Sequence, residues 1–358
     1  MDGMMKVLIA MSGGVDSSVA AKLLCDEGCE CIGCTMKLYD NCDAGLPRGR
    51  TCCSLDDVED ARSVAFSLGM RYYVFNFKDD FREKVIKKFA SGYLRGQTPN
   101  PCIDCNRYMK FDKLLERAKL LGCDKLATGH YARIEFDGEK YRLKKALDKS
   151  KDQSYVLYML TQEQLAHTLF PLGSLHKTDT RAIADAADLS SARKPDSQDI
   201  CFVPDGDYAA AIERLTGEKA PCGDFIDASG KILGTHRGIT HYTVGQHRGL
   251  GLSLPERRYV CGIDAESSTV TLGGSDELYS STAEVRDFNW ISGEAPSEPI
   301  RCTAKIRYRQ PEQPATAIAR SDGSVTLHFD APQRAVTPGQ AAVLYDGDTV
   351  LGGGEIVR

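Results

Sequence analysis

The segment Lys6–Ser18, KVLIAMSGGVDSS, constrains this chain more than any other. A short apolar run ends in two adjacent glycines, and a helical pattern through Val19, Ala20, Leu23 and Leu24 follows at once, stopping near Gly28. The two glycines let the backbone approach a ligand closely, and the helix N-terminus offers free N–H groups and the positive end of a dipole. Hydroxyls of Ser12, Ser17 and Ser18 add donors, so the segment reads as an anion cradle. The Gly-Lys-Ser/Thr ending is missing, so γ-phosphate transfer is not implied. An ordinary glycine-rich strand-to-helix turn is the plainer alternative.

The same alternation continues. CECIGCTMKLY reads as a second strand, and Ser54–Asp57 as a capping box for a helix with the apolar face Val58, Ala61, Ala65 and Leu68, closed by Gly69. YYVFNF is the third strand, Phe111, Leu114, Leu115, Ala118 and Leu121 mark another helix, and DKLATG the next strand. Strands separated by helices predict an α/β domain with a parallel sheet covered on both faces. From about Asp207 the pattern turns to glycine-rich, strand-like pieces: GKILGTHRGI, YTVGQHRGLG, RRYVCGID and TVTLGG. From Ser281 onward CTAKIRYR, ATAIAR, SVTLHF and AAVLYDG alternate apolar and polar residues, the pattern of a small all-β barrel or sandwich. The expected division is an α/β domain over 1–205, a connecting domain over 206–280 and a β-barrel over 281–358.

Composition narrows the setting. Hydrophobic residues make up 42% of the 358 and charged residues 27%, as in a soluble globular protein. No apolar run approaches the roughly 18 residues of a membrane span, and MDGMMKVLIAMSGG lacks the layout of a secretory signal, so a cytoplasmic protein is expected. Fourteen cysteines spread along so long a chain argue against a disulfide scaffold. Most read as small buried hydrophobes, Cys52-Cys53 among them. The seven histidines show no zinc spacing. With a net charge of −5, nucleic-acid binding needs a local basic surface. Lys140–Lys151 supplies Lys140, Arg142, Lys144, Lys145, Lys149 and Lys151; a solvated hairpin edge accounts for it equally well. His236, Arg237, His247, Arg248, Arg257 and Arg258 give the middle region a basic tone. Arg307, Tyr308 and Arg309 alternate on an expected strand, which turns Tyr308 away from both arginines.

Two cysteine-bearing segments carry chemistry. In Thr98-Pro99-Asn100-Pro101-Cys102-Ile103-Asp104-Cys105-Asn106 the prolines stiffen a loop, and Cys105 lies just before the helix of Phe111 and Leu114. The helix dipole, with Arg107 and Lys110, favours its thiolate. Lowering a thiol by ~2 pKa units, worth roughly 2.7 kcal/mol, makes it mostly ionised at neutral pH. Cys201, in DSQDICFV, has acidic neighbours instead. Such unequal sulfurs suit a relay in which one carries cargo and the other attacks.

SGGVDS is similar to the pyrophosphate loop of the ATP-pyrophosphatase superfamily. With TPNPCIDCNRYMKF, ATGHYA, KDQSYVLY, KPDSQDICFV, TVGQHRGLG, KIRYRQ and TPGQ in order, nearly the whole chain resembles the tRNA-specific 2-thiouridylase family. That resemblance implies an adenine nucleotide alpha hydrolase-like fold and ATP-dependent 2-thiolation of uridine at the tRNA wobble position. It implies Cys105 as nucleophile and Cys201 as persulfide carrier, the two able to form a disulfide. Ala10, Met11, Ser12, Gly13, Gly14, Val15, Asp16, Ser17, Met36 and Gly129 would line the ATP site, with Asp16 helping to place Mg2+. Asn100, Pro101 and Cys102 would face the target base, and His130, Lys151, Asp152, Gln153, Arg307, Tyr308 and Gln340 would touch tRNA. A persulfide donor, a cysteine desulfurase or sulfur-relay protein, is the further partner implied. The chain departs from the family in one place, Cys102, where many members carry Asp. Cys102, Cys105 and Cys201 therefore also form a candidate thiolate set for a [4Fe–4S] cluster. The rival activities are a small-molecule ATP-dependent ligase, which needs no cysteine pair, and a non-catalytic RNA-binding protein.

Overall fold

The computed structural model describes residues 4–40, 55–194, 200–203 and 205–357. Ser54, Cys52-Cys53 and Asp196–Asp199 lie outside the described residues, so the readings made on them stay as expectations. β1 (Lys6–Ala10) has Val7, Leu8 and Ile9 wholly buried, because helices cover both faces of its sheet. α1 (Val15–Asp26) follows, then β2 (Glu30–Lys37), α2 (Leu55–Ser67) and β3 (Arg71–Asn76). Gly28 and Gly69 take positive φ just after α1 and α2, the helix stops the sequence predicts. Two longer helices come next: α3 over 78–94 and α4 over 101–120, the latter with wide π-type winding from Cys105 to Leu114. β4 (Lys125–Thr128) precedes a hairpin of β5 (Ala132–Phe136) and β6 (Tyr141–Lys145). Then come α5 (Gln162–Ala166), β7 (Thr168–Leu169) and α6 (Lys177–Ala186).

The first sheet is parallel in the order β3-β2-β1-β4-β7, with Lys6 opposite Glu30 and Val7 opposite Lys125. The strand order reverses between β1 and β4. Ligands of open α/β sheets lie at such a reversal, beyond the carboxyl ends of the strands. SGGVDS leaves β1 and Gly129 leaves β4 at that point.

After α7 (Tyr208–Thr216) a small sheet forms from β8 (Gly223–Ile226), β9 (Ile232–His236), β10 (Tyr259–Asp264) and β11 (Thr269–Gly273). The stretch YTVGQHRGLG is irregular rather than strand-like, with Gly245, Gly249 and Gly251 at positive φ. β12 (Tyr279–Trp290), β13 (Ile300–Lys305), β14 (Gln313–Ala319), β15 (Val325–Arg334), β16 (Ala341–Asp346) and β17 (Thr349–Ile356) close into an antiparallel barrel, since β12 pairs with both β15 and β17. Val325, Leu327 and Phe329 point inward at alternate positions. A Cβ on Gly354 would sit 2.4 Å from the Arg286 carbonyl oxygen, so the β12–β17 seam needs glycine there.

The sequence boundaries do not partition the packing. The β5–β6 hairpin joins the barrel sheet through Thr349 and Lys144, and Tyr155–Leu160 is buried between the two large units. Tyr155 Oη donates to the Ala341 carbonyl (2.8 Å), and Asn289 Nδ2 donates to the Tyr158 carbonyl (2.7 Å). One continuous apolar core runs from Leu8 and Phe111 to Val343 and Tyr345.

Candidate active site

The loop after β1 is fixed by its own hydroxyls. Ser17 Oγ accepts from the Ser12 N–H (3.1 Å) and donates to the Gly14 carbonyl (3.1 Å), while Ser18 Oγ donates to the same carbonyl (3.0 Å). Gly13 is the constrained glycine. Its φ is +74°, and a Cβ there would lie 2.5 Å from the Asp57 carbonyl oxygen. Gly14 is extended, and its Cβ would meet nothing closer than Ser12 Oγ at 3.5 Å. Gly129 packs on the α1 terminus, where a Cβ would be 2.8 Å from the Ser17 nitrogen. Ala10–Ser17, Gly129 and Met36 near the end of β2 thus share one edge of the sheet.

Asp16 is bound from an element the sequence reading missed. Lys177 Nζ, at the start of α6, lies 2.6 and 2.8 Å from its two carboxylate oxygens, and Tyr131 Oη donates to one of them (2.9 Å). Nothing local marks Lys177. The signal available was indirect: an anion loop without a cation of its own. Asp16 is the carboxylate of this loop that could hold Mg2+, and here both of its oxygens face Lys177.

The second half of the site is the start of α4. Asn100 caps it, its side-chain oxygen accepting from the Cys102 N–H (3.1 Å), and Pro101 occupies the first turn. Cys105 stands one turn inside the helix rather than before it, so the strongest part of the dipole acts at Cys102. Lys110 is also committed elsewhere, its Nζ 3.3 Å from His130 Nε2. Asp104 is 5% exposed; burial pushes its carboxyl up against the pull of Lys88, whose Nζ is 2.8 Å away. Cys201 lies beside α3, the helix that carries Lys88. Its carbonyl accepts from Tyr39 Oη (2.7 Å), and the adjoining Phe202 meets Phe81 and Phe89 edge-on at 5.8 and 5.4 Å. Cys105 and Cys201 therefore pack on one apolar cluster. Among the described residues no three His, Cys, Asp or Glu side chains are grouped to hold a metal.

The barrel closes over this helix start. Thr98 N–H donates to the Pro338 carbonyl (2.9 Å), and Gln340 Nε2 donates to the Thr98 carbonyl (2.6 Å). TPNP and TPGQ, motifs far apart in the chain, are one junction. Tyr308 Oη reaches the Asp152 carbonyl (3.5 Å) and feels the charge of Cys102, so Asp152, Tyr308 and Cys102 are neighbours. Lys305 sits 5.6 Å above the Tyr308 ring.

Other expected RNA contacts are occupied internally. Arg307–Gln310 is a turn, not a strand, because β13 ends at Lys305. Arg307 donates to the carbonyls of Val244 (3.0 Å) and Ala335 (3.2 Å) and to Thr337 Oγ1, tying the central domain to the barrel. His130 is buried between Phe111 and Phe170, with Nδ1 2.7 Å from Thr128 Oγ1. Burial and the nearby Lys110 pull its pKa well below the usual imidazole value. Asp152 Oδ1 accepts from the Ala146 N–H, Gln153 Oε1 from the Tyr131 N–H, and the Lys151 N–H donates to the Asp148 carbonyl. In the basic stretch Lys144 pairs with Glu135 (2.8 Å) and Lys145 with Glu312 (2.7 Å). Both cations face carboxylates of the chain itself.

Family models match nearly the whole chain: a tRNA methyl transferase HUP domain over 5–205, a tRNA methyl transferase PRC-barrel domain over 211–274, and an aminomethyltransferase beta-barrel domain over 280–356. A tRNA-specific 2-thiouridylase of Acetivibrio thermocellus is 52% identical over 98% of this chain and 99% of its own length. The chain belongs to the tRNA-specific 2-thiouridylase family. A thiouridylase of Caldanaerobacter subterraneus is 51% identical over 99% of this chain and 98% of that protein, and one of Clostridioides difficile 48% over 99% and 98%. Methyl transfer stands in the descriptions of domain models, whereas these relatives are named thiouridylases, for sulfur transfer. As a thiouridylase, this chain is a tRNA sulfurtransferase with a nucleotide-binding HUP domain. None of its described helices is long and apolar enough to cross a membrane.

Proposed function

We propose that this enzyme uses ATP to adenylate the C2 oxygen of a wobble uridine and then replaces that oxygen with sulfur carried as a persulfide on Cys201. The observation that carries the reading is that Cys105 on α4 and Cys201 beside α3 both pack against the main apolar core. The nucleotide loop lies at the reversal of the same domain's sheet.

The anion cradle of Ser12–Ser18 holds the phosphates of ATP, and the α1 dipole favours the departing pyrophosphate. Mg2+ held by Asp16 and the phosphates would supply further positive charge. Uridine must be splayed out of the anticodon loop to reach the site, and Tyr308 beside Cys102 offers an aromatic face to receive it. The terminal sulfur of the Cys201 persulfide attacks C2 and AMP leaves. Cys105 thiolate then attacks the Cys201 sulfur, releasing thiouridine and leaving a Cys105–Cys201 disulfide for an external thiol to reduce. In the other order, Cys105 attacks first and liberates hydrosulfide, which displaces AMP. Both orders need a persulfide donor protein and cytoplasmic reductant.

The test is nucleoside mass spectrometry of tRNA incubated with the enzyme, ATP and a persulfide donor. Thiouridine formed with equimolar AMP and pyrophosphate is expected. Pyrophosphate release without tRNA, onto a small carboxylate or amide, would turn the reading to a ligase.

A further inference from the structure

A leaving pyrophosphate gathers negative charge, yet Ser12–Ser18 contains no lysine or arginine to meet it. Lys177 stands where such a cation is needed, 161 residues further along the chain. Its side chain is only 11% exposed, and its ammonium lies on both oxygens of Asp16, the second residue of α1. A helix N-terminus is a poor place to store a cation, because the dipole there is positive. It is a good place to use one when an anion arrives.

The surroundings fix this lysine closely. Its backbone N–H donates to Asp148 Oδ2 (3.0 Å), its Nζ lies 5.6 Å from the Tyr131 ring centre, and Tyr131 Oη is 2.9 Å from Thr180 Oγ1 on the same helix. α6 packs along α1, so the lysine is delivered by a rigid element rather than a loop. A cation already at the site when an anion binds stabilises the charge that develops there.

We infer that Lys177 is a catalytic residue of adenylation, moving from Asp16 onto the pyrophosphate of ATP; this rests on the ATP reading above. In that step the uridine C2 oxygen forms a bond to the α-phosphorus. The bond from that phosphorus to the bridging oxygen breaks, and its electron pair leaves on pyrophosphate. The uridine N3 proton goes to solvent. Lys177 keeps its own proton and donates hydrogen bonds throughout.

Pyrophosphate release and inhibition by added pyrophosphate are measured on the full-length enzyme with tRNA and ATP. Lys177→Met should lower kcat for release about 100- to 1000-fold and raise the pyrophosphate inhibition constant about tenfold, with the KM for tRNA within about twofold. Lys177→Arg should recover much of both. A Lys177→Met enzyme within about threefold of wild type in kcat overturns the inference. Lys177→Gln, which keeps a hydrogen-bond donor beside Asp16, keeps the test alive if Lys177→Met misfolds. Wild-type pyrophosphate inhibition in Lys177→Gln would show that the lysine charge does not meet pyrophosphate, and the inference falls. If the wild-type enzyme releases no pyrophosphate, the ATP reading itself fails.

Discussion

Lys88 Nζ lies 2.8 Å from Asp104 Oδ1, one residue before Cys105, and 3.9 Å from Glu355 on the barrel. The next residue of α3, Phe89, packs edge-on against Phe202, one residue after Cys201. One turn of helix thus sets a polar pin beside one sulfur site and an apolar pin beside the other. The barrel is tied to the first.

Removing that polar pin should separate sulfur transfer from activation. Lys88→Met leaves the buried Asp104 carboxylate without its cation, a loss of about 1–3 kcal/mol. The Lys88 side chain is 40% exposed, which keeps the figure below that of a fully buried pair. Urea unfolding should show the loss. Thiouridine formation should fall several-fold more than pyrophosphate release, and equal losses would refute the pin.

Gly13 and Gly14 should respond unequally. Gly13→Ala forces a side chain at φ +74° against the Asp57 carbonyl, costing at least about 1–2 kcal/mol. Its AMP formation should fall more than tenfold. Gly14→Ala should stay within a few-fold of wild type, because its Cβ meets only an ordinary contact. Parallel AMP assays of the two folded variants decide it.

Cys201→Ser removes the proposed carrier and touches no loop contact described above. Nucleoside mass spectrometry should find no thiouridine, while pyrophosphate release continues. Thiolation from a protein persulfide by this variant would remove Cys201 from the carrier role.

Acid should loosen the fold through His130. Its imidazole is held neutral, with a folded pKa well below 6.5, so the unfolded chain binds the extra proton. The stability this gives is present above about pH 6.5 and is lost as pH falls, by about 1.4 kcal/mol per unit. His130→Gln should flatten the urea midpoint between pH 7 and pH 5.5. An unchanged slope would show that His130 does not carry the acid sensitivity.

Much of this protein was written in local pattern. SGGVDS between Ala10 and α1 predicts the turn and its helix, because glycine geometry and a helix terminus act within a few residues. Gly28 and Gly69 mark helix stops for the same reason, and alternation marks the barrel strands β13 to β16. Arg307 was misread because periodicity cannot say where a strand ends, and Cys105 because a proline-rich start conceals the first helical turn. The pairing of Lys177 with Asp16, of Lys88 with Asp104, and of Gln340 with Thr98 joins residues with no shared local signal. Charge and hydrogen bonding act through space, so only the packed chain decides which cation meets which carboxylate. The sequence by itself determined the kind of turn, helix and barrel this protein builds. The tertiary structure decided which side chains share the site, since long-range contacts arise from burial and not from spacing.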